Sequence, residues 1–123
     1  MKEEDKELLL KDLCARLPYG VIVETTKGKG HVCDINLTIF GYEFGVNVNP
    51  TIRDNFSIND VKPYLSPLSS MTEEEKEEYC QLQQKVVNED VTKYINYCYK
   101  KHLDINNLIH MGLAIDATNL NLY

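Results

Sequence analysis

The chain has 123 residues, of which 43% are apolar and 26% charged, and a formal net charge of −6. That length suits one domain around one core, and the composition is globular rather than disordered. The acidic balance excludes generic affinity for phosphate backbones, so nucleic acid is not the default partner, and no apolar run approaches the roughly 20 residues that span a bilayer.

From Glu4 to Leu17, acidic residues come first and Lys11 and Arg16 last, the order that complements a helix dipole. Leu9, Leu13 and Leu17, with Leu10 and Cys14, form the apolar stripe of this helix, and Pro18 ends it. Gly20 to Thr25 is rich in β-branched residues, and Lys27-Gly28-Lys29-Gly30 supplies a tight reversal. Cys33, Ile35, Leu37 and Ile39 then alternate with Asp34, Asn36 and Thr38, and Tyr42, Phe44, Val46 and Val48 alternate with Glu43, Gly45 and Asn47. Each set predicts a strand with one buried face.

Asn49-Pro50 predicts a turn, Thr51 to Ser57 a further strand, and Val61 to Leu65 a short edge strand that a proline blunts. Five strands over so short a stretch suggest a curled antiparallel sheet, an SH3-like roll or similar, with the first helix closing one end. Pro63 and Pro67 make the following segment a stiff joint, with Tyr64, Leu65 and Leu68 expected inside. Thr72-x-x-Glu75 is a capping box that opens a helix along Tyr79, Leu82 and Val86. Asn88-Glu89-Asp90 breaks it before a second helix carrying Val91, Tyr94, Ile95, Cys98 and His102. A third short helix is expected from Asp104 to Gly112, and a loose polar tail from Asp116. The whole is a single α+β domain over 1–123, with its sheet at about 18–65 and its C-terminal helices, two to three in number, at about 72–112.

Cys98 and His102, four apart, could share a metal ion with Cys80, His110 or the His31/Cys33 pair, but no second local pair completes a zinc pattern. Core placement is the expectation for both, and no metal or cofactor is assigned. Cys14, Cys33, Cys80 and Cys98 lack a C-x-x-C spacing and are expected as mostly buried thiols. Cys33 beside His31 has no orienting carboxylate, which leaves no catalytic residue to nominate. Glu73, Glu74, Glu75, Glu77 and Glu78 suit both a solvated helix start and a mimic of phosphates.

Several segments carry a likeness: Leu13-Cys14-Ala15-Arg16-Leu17-Pro18-Tyr19-Gly20-Val21, Lys62-Pro63-Tyr64-Leu65, Pro67-Leu68-Ser69-Ser70-Met71-Thr72-Glu73-Glu74-Glu75 and Gly112-Leu113-Ala114. They resemble a family of small uncharacterised proteins of gut bacteria and their phages and mobile elements. The resemblance covers about half of the length and implies an intracellular protein of the bacterial cytosol, with carriage on a phage as one origin. It implies no activity and no site residue.

The sequence thus points to a non-enzymatic, cytoplasmic protein-interaction module whose partner is another protein or a second copy, with Tyr94, Tyr97 and Tyr99 as the candidate surface. The alternative is oligonucleotide or nucleotide binding by the small barrel through Lys27 and Lys29.

Overall fold

The structure is a computed structural model and describes residues 1–49, 52–85 and 91–123. The expected turn at Asn49-Pro50 lies partly outside these residues, and the break at Asn88-Glu89-Asp90 wholly outside them. Helix α1 (Glu3–Arg16) is followed by strands β1 (Ile22–Thr25), β2 (Gly28–Thr38), β3 (Gly41–Asn49), β4 (Ile52–Ser57) and β5 (Lys62–Leu65). Helices α2 (Glu73–Lys85) and α3 (Val91–Lys100) lead to a last strand, β6 (Ile115–Asp116).

The fold is α+β as the sequence indicates, but the sheet is not the expected five-stranded antiparallel roll. It is open and mixed, in the order β4-β3-β2-β1-β5-β6, and β6 pairs with β5 in parallel. A two-residue strand is too short to show an alternating pattern, which is why it was invisible in the sequence. Its presence means that β5 is not an edge. Pro63 is accommodated there because β6 pairs only with Tyr64 and Leu65.

Alternation assigns the two faces of the sheet. The front face carries Val21, Val23, Val32, Phe44, Val46, Phe56 and Leu65 against Leu9 and Leu13 of α1. The back face buries Ile22, Tyr64 and Ala117, with Ile115 and Leu122 beside them. Tyr64 and Leu65 are therefore inside as expected, while Leu68 is 37% exposed.

The segment from Asp104 to Gly112 forms a series of turns instead of a third helix. Asp104 accepts the Leu108 and Ile109 N–H groups at 2.8 and 3.0 Å, and Asn107 turns left-handed at φ +60°. One such residue is enough to stop a helix from propagating. Leu108 is nonetheless fully buried in the core.

The expectation of a loose tail is also corrected. The Tyr123 hydroxyl accepts the Ile22 N–H at 2.8 Å and donates to the Tyr64 carbonyl at 2.8 Å, so it bridges β1 and β5 beyond their last paired residues. Burial of that hydroxyl pushes its pKa up to about 12.

The charged centre of the fold is Asp12 and Arg16, one helical turn apart and both fully buried. Arg16 Nε and Nη2 donate to the Asp12 carboxylate at 2.6 and 3.1 Å, and Nη2 also reaches the Leu103 carbonyl at 2.6 Å. Asn106 donates to Asp12 at 2.8 Å, and the Tyr99 ring lies 4.9 Å from the guanidinium carbon. Only Nη1 lacks a hydrogen-bond partner, and the ring face offsets part of that cost.

Asp12→Ala strands a buried charge, and urea unfolding should register a loss of about 3–5 kcal/mol, whereas a loss near zero would mean that the pair does not hold α1 in place. Tyr123→Phe leaves the Ile22 N–H without its acceptor and should cost about 1–3 kcal/mol in the same measurement.

Candidate functional site

The β2–β3 hairpin is built unlike most. From Asp34↔Gly45 to Thr38↔Gly41 the strands pair residue for residue, leaving only Ile39 and Phe40 as the reversal. Two-residue hairpin turns usually need positive φ at their centre, hence Asn-Gly or Asp-Gly. Here Ile39 and Phe40 keep negative φ and Gly41 takes φ +106° instead. A Cβ on Gly41 would meet nothing within 4 Å, so its backbone angle alone requires glycine. The Thr38 hydroxyl completes the turn, donating to the Gly41 carbonyl at 2.9 Å and accepting the Phe40 N–H at 3.1 Å.

This geometry sets apolar side chains at the tip. Ile39 is 94% exposed, Phe40 88%, Leu37 71% and Tyr42 44%. Leu37 and Tyr42 are cross-strand partners, adjacent on the front face to the Ile35↔Phe44 pair that packs in the core. The apolar stripe of the front face therefore runs continuously from the core out onto the surface. Beneath it, Phe40 and Tyr42 share a groove of about 410 Å³ with Leu10 of α1 and Ile58.

The back of the hairpin is braced by charge. Arg53 donates to both Asp34 oxygens, at 3.0 and 2.5 Å, and holds that carboxyl below the usual range. The pair lies across Gly45, where a Cβ would collide with both side chains. A register shift between Val32 and Asp34 sets this up. It also turns Cys33 outward, correcting its expected place on the buried face.

The tyrosines nominated from sequence are half-buried and engaged within the chain. The Tyr94 hydroxyl lies 2.8 Å from that of Tyr79, Tyr97 donates to the Glu75 carbonyl at 3.3 Å, and Tyr99 sits against Arg16. Tyr94 and Tyr97 join α2 to α3, and Tyr99 joins α3 to α1. Lys27 is paired with Asp54 at 2.5 Å, and Lys29 stands 5.4 Å from the buried Tyr64 ring, so the two lysines serve different contacts.

Among the described residues no three His, Cys, Asp or Glu side chains gather in a metal-holding group. Cys14, Cys33 and Cys80 are exposed, against expectation, and Cys98 alone is buried, which pushes its thiol pKa up. His102 does not continue α3 as expected. It follows the helix end at φ +56°, with its N–H on the Tyr99 carbonyl at 3.0 Å and the Leu103 N–H on the Cys98 carbonyl at 2.9 Å. That is the Schellman arrangement with histidine in the position glycine usually takes. The Tyr123 ring stacks on the imidazole at 3.6 Å, and the His102 carbonyl accepts the Ser66 N–H at 2.8 Å.

Strand patterning placed Leu37, Ile39 and Tyr42 on buried faces, and the structure corrects this by exposing all three at the tip. Its signal was present in Thr38-Ile39-Phe40-Gly41, where two large apolar residues occupy a reversal that ordinarily selects polar ones. Comparison with family models, curated proteins and solved structures finds no match, so the residues themselves carry the functional argument.

Burial, and then the charge of Arg16, lower the His102 pKa from 6.5 to about 4. Below pH 6.5 the unfolded chain takes up a proton that the folded one refuses, so this contribution to stability falls progressively until about pH 4, by roughly 3 kcal/mol in all. His102→Asn, which tolerates the left-handed backbone, should flatten the stability curve over that interval relative to the parent. Parallel curves for the two proteins would refute the assignment.

Proposed function

We propose that this chain is a non-enzymatic protein-interaction module of the cytosol that engages its partner through the β2–β3 hairpin tip. One observation carries the reading: Leu37, Ile39, Phe40 and Tyr42 stand exposed together and prolong the core stripe of the sheet. A turn gains nothing in stability from solvated isoleucine and phenylalanine, whereas aromatic and aliphatic side chains on a well-paired support are what protein interfaces bury at their centres. The tyrosines of α3 contribute less to this reading, since their hydroxyls and rings are occupied within the chain.

The oligonucleotide alternative has weaker support. Lys27 is neutralised by Asp54, Lys29 lies over a tyrosine that is only 5% exposed, and the sheet that was to form a barrel is open. Among the described residues no helix is long and apolar enough to cross a membrane.

The test is a double variant, Ile39→Asn with Phe40→Asp, which suits a turn better than the parent residues do. Its urea midpoint should match or exceed that of the parent. A partner recovered from host cells with the parent should bind the variant roughly 30-fold or more weakly in titration calorimetry, as expected when interface anchors are removed. Equal affinity for both proteins would overturn the assignment to the hairpin.

A further inference from the structure

The groove under the hairpin tip adds chemistry to the docking face. Its walls come from three parts of the chain: Phe40 and Tyr42 from the hairpin, Leu10 from α1, and Ile58 just after β4. Glu3, Lys6 and Glu7 line its mouth, at the three- and four-residue spacings that put them on one side of the helix with Leu10. Lys6 is paired with Glu3 at 3.3 Å, and Glu7 has no ion-pair partner among the described residues. The site is thus an apolar slot with a net negative rim.

We propose that this groove is the specificity pocket of the interaction module, taking one apolar side chain of a partner polypeptide whose neighbouring Lys or Arg meets Glu7 and Glu3. The inference rests on the hairpin being the docking face. At about 410 Å³ the groove has room for one or two side chains and not for a folded surface. An unpaired carboxylate at the rim favours a cation there and repels an acidic segment. The same charge argues against a second copy of this chain, because a symmetric contact would bring two acidic helix starts, Glu3, Glu4, Asp5 and Glu7, against each other in a protein of net charge −6. It argues equally against an anionic bilayer, whose surface potential repels acidic residues around an inserted tip.

The probe is a random 12-residue peptide library displayed on phage. It is selected in parallel on the parent, on Glu3→Lys with Glu7→Lys, and on the Ile39→Asn, Phe40→Asp pair, with melting curves to verify that each protein is folded. The parent should enrich peptides in which Leu, Ile, Phe or Trp lies within four positions of Lys or Arg, and a synthetic peptide from that set should bind the charge-reversed protein at least tenfold more weakly. The charge-reversed protein should enrich Asp and Glu instead. The neutral Glu7→Gln variant should give an intermediate affinity. Enrichment of the same uncharged peptides on parent and charge-reversed proteins, with binding still lost in the hairpin variant, would overturn the pocket and leave the docking face standing. Failure of any peptide to depend on the hairpin would remove both. Reversible self-association that disappears in the hairpin variant, seen by sedimentation, would replace the peptide with a second copy.

Discussion

Burying Arg16 organises the molecule. A guanidinium with no solvent exposure needs partners fixed around it, and here they come from three parts of the chain: Asp12 within α1, itself held by Asn106, the Leu103 carbonyl after α3, and the face of the Tyr99 ring from α3. The helix therefore cannot slide or roll on the sheet without taking Arg16 off the Leu103 carbonyl and Asp12 off Asn106, which would strip hydrogen bonds from two buried charges. That fixes where its apolar stripe ends, and so which part of the front face it leaves uncovered.

The uncovered part is the hairpin. The front face of β2 and β3 is apolar along its whole length, yet α1 covers it only through Leu9, Leu13 and their neighbours. Beyond Ile35 and Phe44 the same alternation continues into water. The Asp34–Arg53 pair across Gly45 braces the hairpin from behind, and the Thr38 hydroxyl closes the turn. Exposure of Ile39 and Phe40 is thus a property of a supported element and not of a loose loop.

Much of the secondary structure could be read from local pattern. The Thr72-Glu75 capping box forms reciprocally, the Glu75 N–H meeting the Thr72 hydroxyl at 3.2 Å and the Thr72 N–H meeting the Glu75 carboxylate at 3.0 Å. Strands β2 to β4 and the three helices fall close to where periodicity puts them. What escaped was set by contacts distant in sequence or by single backbone angles. Nothing local to Ile115-Asp116 announces a strand, because its partner lies 51 residues earlier. His102 ends α3, and Asn107 keeps a helix from forming after Asp104, through left-handed angles that their neighbours do not encode. Cys33 left the core because one extra residue at the register shift reverses the faces. The candidate site was not legible in the same way: alternation put Leu37, Ile39 and Tyr42 on buried faces, and only the end of the α1 cover leaves them exposed.

The bridge made by the Tyr123 hydroxyl has a consequence for how the chain reaches this state. Strands β1 to β4 are successive antiparallel neighbours, whose pairing closes short loops at little entropic cost. The Ile22 N–H, by contrast, finds its acceptor 101 positions later, and β6 reaches β5 only after both C-terminal helices have been laid down. Contacts of such separation come late in folding because the chain must be ordered before they reward it. The meander and its hairpin tip are therefore the early part of the molecule, and the back face is the last to close. A nascent chain emerging from the ribosome would show its apolar hairpin to the surroundings well before Tyr123 could lock the strands behind it.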